Sequence, residues 1–225
     1  ACPNIVSIVV ENGNPIYDSR ENCNAIIETA TNTLVEGCQN TIIPKSVTKI
    51  GDYAFSRCTS LKSIFIHEDI TSIYCGSFAG TSSVTSIIVD ENNQVYDSRN
   101  NCNAIIETTT NTLIFACQNT IIPDSVTSIG DYAFCGCKSL TSITIPERVT
   151  TIGESAFFDC SSLTSMVVET GNTIYDSRDN RNAIIETATN TLIAGCQNTI
   201  IPNSVTSIGK YAFSGCSSLT SLTIP

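Results

Sequence analysis

Cysteine is the residue type in this chain with the widest chemistry, because a thiol can form a disulfide, bind a metal or be buried. Twelve cysteines occur among the 225 residues. The chain repeats itself, and Cys23 could pair with Cys38 in the first copy, yet the third copy has Arg181 at the first place and keeps Cys196 at the second. Since an obligatory bridge would lose both partners together, the pattern favours buried thiols over a disulfide framework.

The sequence contains few side chains that could bind a metal ion or take part in catalysis. Cys135-Gly136-Cys137 is a single short spacing without a second Cys or His pair nearby, which is too little for a zinc site. His67 is the only histidine and takes the strand-terminal place that Pro146 fills in a related unit, so we expect it to be exposed. The sequence contains neither a glycine-rich phosphate loop nor a nucleophile elbow. We therefore predict no catalytic residue, no metal and no cofactor.

An oxygen-rich motif, Tyr-Asp-Ser-Arg at residues 17–20, recurs at 96–99 and 175–178. It superficially resembles a calcium loop, but it lacks the glycine and the closing bidentate Glu at loop spacing. The alternative is a structural turn in which Asp18 caps backbone amides and pairs with Arg20. We favour the structural turn.

The charge and the hydropathy of the chain exclude two classes of binding partner, nucleic acids and membranes. Only 14% of residues are charged and the formal net charge is -10, so the sequence cannot supply the basic patch that nucleic-acid binding needs. No apolar run reaches the roughly 18 residues of a membrane span, and residues 1–4 lack the features of a signal peptide. With 41% hydrophobic residues, the chain has enough apolar material for a core. We expect no nucleic-acid binding and no membrane insertion.

The repeat has a period of 79 residues and divides into units of 23, 23 and 33 residues. We predict one uninterrupted repeat array over 1–225, without a second domain. Its units are 1–13 (partial), 14–46, 47–69, 70–92, 93–125, 126–148, 149–171, 172–204 and 205–225 (partial).

The unit at 126–148 shows how a unit is built. Ile143 and Ile145 alternate with polar residues, which indicates a half-buried strand, and Pro146 ends that strand. A lone unit cannot bury its inward side chains, so we expect equivalent strands to stack in one continuous parallel sheet. In the 33-residue units, two β-prone runs around a polar turn, as in 25–35, predict a small hairpin on the flank.

A set of residues recurs from unit to unit, as in Ile129-Gly130, Tyr132-Ala133-Phe134, Cys137 and Leu140-Thr141-Ser142-Ile143-Thr144-Ile145-Pro146. On these residues the chain resembles the BspA-like leucine-rich repeats of bacterial and some protozoan cell surfaces. The resemblance extends over essentially all 225 residues. It implies a right-handed leucine-rich-repeat solenoid of the α/β superhelix class, β-rich with little regular helix, with a parallel β-sheet on its concave face. It also implies an extracellular or cell-surface location and a link to adhesion.

One column of side chains is the best candidate for ligand binding. On each strand, the residue between two inward apolar positions must point to the exposed face, and most of these residues are apolar. The competing explanation is that β-branched residues favour strands wherever they point, although Phe65 fits that explanation poorly. We call this column the exposed strip, and its central members are Ile42, Phe65, Ile88, Ile121, Thr144, Val167 and Ile200.

Two functions fit this sequence. The first is an adhesion or binding module that presents the exposed strip to a host or matrix protein or to a glycan. The second is a structural spacer or stalk whose copies only set length. Since neither end carries a recognisable cap, we also expect such a segment to be able to associate end to end with another copy.

Overall fold

The structure is a computed structural model that describes residues 4–225, almost wholly as short strands and turns. Single-turn 3-10 segments at Arg20–Asn22 and Arg99–Asn101 are the helical elements of this range. The predicted β-rich character with little regular helix is confirmed. The strands, β1 to β18 in chain order, are Tyr17–Asp18, Ala25–Glu28, Thr33–Gly37, Lys49–Ile50, Ser63–Ile66, Ser72–Ile73, Ser86–Val89, Tyr96–Asp97, Ala104–Glu107, Thr112–Ala116, Ser128–Ile129, Ser142–Ile145, Thr151–Ile152, Ser165–Val168, Tyr175–Asp176, Ala183–Glu186, Thr191–Gly195 and Ser207–Ile208.

Parallel strand pairs join equivalent positions of successive units. β5 pairs with β7 and β12 pairs with β14, each with residue i opposite residue i+23. Bonds outside the strands repeat this spacing, as where the Thr71 N–H donates to the Thr48 carbonyl at 2.8 Å. Inward residues such as Ile64 and Ile66 are buried, whereas Phe65 between them is exposed. Stacking at 23-residue intervals therefore buries one face of each strand, as the alternating pattern predicts.

Each 33-residue unit contributes the predicted antiparallel hairpin, formed by β2–β3, β9–β10 and β16–β17. Its turn uses Asn32 at φ 52, a left-handed conformation that Asn adopts more readily than most residues. One face of the hairpin packs into the core, because Ala25, Ile27 and Leu34 have no exposed surface. β3 also continues in parallel pairing to β4 and β6. The hairpin is apolar on one face and therefore closes the core itself.

The predicted continuous parallel sheet is also wrong, because β5–β7 and β12–β14 are separate two-stranded sheets. The equivalent segments of the long units, such as 119–123, are not strands. Their peptide groups bond within their own unit instead, since the Ile121 N–H donates to the Cys102 carbonyl at 3.2 Å. Asn103 lies beside β7, where its Oδ1 accepts from the Ile87 N–H. The inserted residues thus occupy hydrogen-bonding positions that a continuous ladder would need.

The Tyr-Asp-Ser-Arg motif forms the predicted structural turn. Both carboxylate oxygens of Asp18 accept from the Arg20 guanidinium at 2.7 to 3.1 Å, and Asp18 also accepts from the Arg20 backbone N–H. Arg20 then reaches Asn32 at the hairpin turn at 2.9 Å. The side-chain bond from Arg20 lowers the pKa of the Asp18 carboxyl. Arg20 pairs with the Asp18 carboxylate and also bonds to Asn32, so the two residues together hold the hairpin turn in place. Because the carboxylate is already paired, it is not free to bind a cation.

Cysteines lie mainly in the core. Of the eleven described cysteines, eight are buried, and Cys2 lies outside the described residues. Cys58 and Cys137 each donate a weak Sγ bond to a carbonyl of the preceding unit, at 3.6 and 3.5 Å. Burial raises the pKa of the Cys58 thiol to about 11. These thiols pack as small apolar side chains and stay protonated at neutral pH.

The short units share a six-residue turn loop, and these loops stack on one side of the molecule, which we call the turn face. The long units carry hairpins there instead, so loops 75–80 and 131–136 meet directly. The Gly80 N–H donates to the Cys135 carbonyl at 2.9 Å. Gly136, at φ 76, approaches so closely that a Cβ would lie 2.5 Å from the Gly80 Cα. Glycine is therefore required at this junction.

The prediction that His67 is exposed is wrong, because its relative exposure is 3%. Its Nδ1 accepts from the Asp69 N–H at 3.3 Å. Its Nε2 lies near the Pro44 carbonyl without a hydrogen bond of normal geometry. Desolvation by burial lowers the pKa of the imidazole, and this outweighs the Asp69 carboxylate. Prolines at the equivalent places, such as Pro146, are also buried, so this position is part of the core.

Replacing Gly136 should test the junction between the turn loops. Gly136→Ala forces an alanine into the left-handed backbone conformation, which should lower the free energy of unfolding by about 1–2 kcal/mol. The clash of its Cβ with Gly80 should lower it by about 1–3 kcal/mol more. Gly13→Ala is the matched control, because Gly13 also has a positive φ but nothing lies near its Cβ position. Urea unfolding of both variants measures the difference. If both variants lose the same free energy of unfolding, the contact between Gly136 and Gly80 is not a close one.

His67 should make stability depend on pH. Because burial lowers its folded-state pKa, the unfolded chain takes up a proton near the ordinary value of 6.5 that the folded chain resists. The free energy of unfolding should therefore decrease as the pH is lowered from about 7.5 to about 5.5. His67→Pro, which installs the residue found in related units, should flatten this dependence. Urea midpoints across the range measure it, and an unchanged slope in the variant would contradict the assignment.

Candidate ligand-binding surface

The exposed strip is exposed as its alternation predicts. Its large apolar members are 53–79% exposed: Phe65, Ile88, Ile200, Ile42 and Ile121. Thr144 is also exposed, whereas Val167 is half-buried. Phe65, the strip residue that strand propensity explains poorly, and Ile88 thus both present large apolar side chains to solvent.

The structure brings the strip residues together in pairs and leaves gaps between the pairs. Phe65 lies directly opposite Ile88 in the β5–β7 pair. Thr144 lies opposite Val167 in the β12–β14 pair. Ile42 and Phe65 line one shallow cavity of about 200 Å³ whose floor is formed by core side chains. The predicted unbroken column is thus replaced by local patches, of which the one containing residues 42, 65 and 88 is the most apolar.

Ile121 and Ile200 lie outside these sheets. Each donates its backbone N–H to the inserted segment of its own unit, Ile121 to Cys102 at 3.2 Å and Ile200 to Arg181 at 3.0 Å. Because these segments are not strands, the two side chains stay exposed without a cross-strand neighbour. They extend the exposed apolar surface but do not belong to the Phe65 patch.

The short polar residues beside the strip have two roles. Ser63 and Ser142 are exposed and can offer hydroxyls to a ligand. The asparagines at the equivalent places hold neighbouring segments together: Asn40 donates to the Val6 carbonyl at 3.0 Å, and Asn119 to the Thr85 carbonyl at 3.2 Å. The patch around Phe65 can thus bury apolar surface and form a few hydrogen bonds.

The rest of the described chain adds no reactive group to this patch. Within residues 4–225, no group of three or more His, Cys, Asp or Glu side chains is placed to hold a metal ion. The described part also contains no helix of the length and apolarity that a membrane crossing requires.

A second concave surface, on the turn face, was not predicted from the sequence. A cavity of about 480 Å³ on the turn face is lined by Tyr53, Tyr132 and Phe158 together with Arg57 and Lys138, among others. The recurring tyrosine of the Asp-Tyr-Ala-Phe motif was a signal for it, at residues 53 and 132. Its formation depends on the direct contact of two loops that are separated in sequence by a hairpin unit, and residue spacing does not reveal that contact.

The fold is similar to that of solved bacterial proteins. A leucine-rich cell surface protein from Faecalibacterium prausnitzii is 28% identical, with a TM-score of 0.56 over 81% of this chain and 46% of its own. The pneumococcal vaccine antigen PcpA, 22% identical, has a TM-score of 0.53 over 80% of this chain and 49% of its own, and supports the fold alone. The chain thus spans about half the length of these structures. No curated protein sequence matches it.

The repeat signature agrees with this likeness. The family model for the BspA-type leucine-rich repeat region matches six copies, over residues 25–114, 111–180 and 185–225. These ranges contain the first two hairpins, the β5–β7 and β12–β14 pairs and the turn loops described above, and most of the third hairpin. This chain belongs to the BspA-type leucine-rich repeat family.

Proposed function

We propose that this chain is a binding segment of a secreted or cell-surface protein, and that it binds a protein partner through the exposed strip without catalysing a reaction. The observation that carries the proposal is the direct pairing of Phe65 with Ile88 on the solvent face, each more than half exposed. Single exposed apolar residues are common on protein surfaces, whereas paired ones that adjoin an apolar cavity are typical of recognition sites.

The proposed partner is a protein because of the chemistry of the patch. Ile42, Phe65 and Ile88 offer apolar area with exposed serine hydroxyls at the edge, and this combination of an apolar centre and a polar rim is found in protein interfaces. The charged side chains near this patch in sequence have both signs, since they include Lys45 and Lys62 as well as Glu68 and Asp90, and Lys45 pairs with Glu68 at 3.3 Å. The patch therefore favours an apolar segment of a host or matrix protein over a charged polymer.

The family and the solved structures support the proposed location and shape. The similar protein from F. prausnitzii is described as a cell surface protein, and a repeat array suits extended display. We include in the proposal a right-handed solenoid with the exposed strip on its concave side. A curved array would let several units contact one partner at once.

The second candidate function is a spacer or stalk. The observation that favours it is the close identity of the three long units, in which an aspartate–arginine pair recurs at Asp18, Asp97 and Asp176. Such regularity would set a length without any need for a ligand. A binding segment needs the Phe65 patch to contact a partner, whereas a spacer does not.

A charge-introducing double variant separates the two functions. Phe65→Asp with Ile88→Asp should weaken binding to an immobilised extracellular-matrix protein at least tenfold, about 1.4 kcal/mol, because it places carboxylates in the apolar contact. Ile16→Asp, at another apolar residue that is about half exposed, is the matched control. Surface plasmon resonance across a panel of such proteins measures binding, and circular dichroism checks the fold.

Two results would favour the spacer. One is a parent chain that binds no protein of the panel, and the other is a double variant that binds as well as the parent. Loss of binding in Ile16→Asp as well as in the double variant would place the contact outside the strip.

A further inference from the structure

The turn face has its own continuous surface, formed by the stacked loops of the short units. The Arg57 N–H donates to the Ala79 carbonyl at 2.8 Å, and the Gly80 N–H donates to the Cys135 carbonyl at 2.9 Å. The Gly136 N–H then donates to the Phe158 carbonyl at 2.8 Å. Four loops from units at 47–69, 70–92, 126–148 and 149–171 are thereby joined into one wall, with the cavity of about 480 Å³ over their junction.

Aromatic side chains define the shape of this cavity. The Tyr53 and Tyr132 rings meet edge to face, with centroids 6.3 Å apart. Gly76 lies between them in the stack of loops, and a Cβ there would come within 2.5 Å of the Tyr53 ring. The glycine thus leaves room for the ring to reach Tyr132. Tyr53 is 48% exposed, so its ring is open to a ligand as well as to its neighbour.

A positive charge without a partner adds to the aromatic surface. Arg57 is exposed and lines the cavity, and no carboxylate among residues 4–225 lies within ion-pair distance of it. Lys138, on the same wall, is neutralised by Asp159 at 3.3 Å. By contrast, Arg20 and its equivalents are held by an aspartate and an asparagine. The planar guanidinium of Arg57 therefore keeps its donors for a ligand carboxylate.

We propose that this cavity is a carbohydrate-binding site for a pyranose that carries a carboxylate, such as a sialic acid or a hexuronic acid. The apolar C–H face of a sugar ring stacks on the tyrosine rings, as an amphipathic ligand does on aromatic surfaces. Its carboxylate pairs with Arg57, and its hydroxyls bond to polar groups of the wall. The volume suits one or two sugar rings, within the range of about 300–1,000 Å³ that is usual for small-molecule sites.

This inference does not rest on the exposed strip. The cavity belongs to loops 52–57, 75–80, 131–136 and 154–159, and none of the strip residues lines it. Cys135 also lines it, but burial raises the pKa of that thiol to about 11, so it takes part as a neutral side chain. The site would let the chain bind a glycan and a protein at the same time.

Titration with defined sugars tests the site. Isothermal calorimetry of the full chain with sialyllactose and with a hyaluronan tetrasaccharide should show that at least one binds tenfold more tightly than lactose, the neutral reference. Arg57→Gln should remove that preference. Tyr53→Ser should weaken binding of the acidic sugar at least fivefold, and the fold should tolerate it because Ser155 stands at the equivalent place in another unit.

Two controls make the outcome specific. Arg148→Gln removes an exposed arginine that lies outside the cavity and should leave sugar binding unchanged. The Phe65→Asp, Ile88→Asp variant should bind the sugar like the parent chain, so a failure of the protein-binding proposal would not affect this one. The proposal is overturned if neither acidic sugar binds more tightly than lactose, or if Arg57→Gln binds them as the parent does.

Discussion

A 23-residue unit has no core of its own, and the rest of the structure follows from that constraint. Its short strands bury side chains on a single face, and they make their ladder hydrogen bonds with neighbouring units, as β5 does with β7. Stacking satisfies both needs at once, since the inward residues form columns and the ladder bonds run between units. Outward residues are free of this constraint, so function can be placed there.

The 33-residue units modify this arrangement on both sides of the molecule. Their hairpins close the core without a turn loop, which brings Gly80 and Gly136 into contact on the turn face. Their inserted residues, such as Asn103, use hydrogen bonds beside β7 and end the strand pairing there. The Phe65 patch and the turn-face cavity are therefore both shaped by the position of the long units along the array.

Charge is used sparingly and mostly inside the repeats. The arginines of the three Tyr-Asp-Ser-Arg turns are saturated by aspartate and asparagine side chains, so they hold the hairpins and leave little charge for partners. Arg57 and Arg148 depart from this rule within the described chain, and of these two only Arg57 lines the turn-face cavity. A protein whose surface is otherwise acidic, with a net charge of -10, would use such a local cation for selective contact with a small anion and not for binding a polyanion.

The sequence by itself determined the repeat, its family, the hairpins of the long units and the alternation that buries Ile64 while it exposes Phe65. These properties depend on residues close in the chain or at one fixed interval, and periodicity reports such relations directly. Only the tertiary structure decided that the parallel sheet is broken, that His67 is buried and that Tyr53 meets Tyr132. The burial of His67 depends on the neighbouring unit that covers the end of its strand, where Pro44 lies beside the imidazole, and a polar side chain at that place does not reveal the covering. The broken sheet and the tyrosine contact depend on which units touch after an insertion has displaced the stack, and an insertion's path through space leaves no trace in residue spacing.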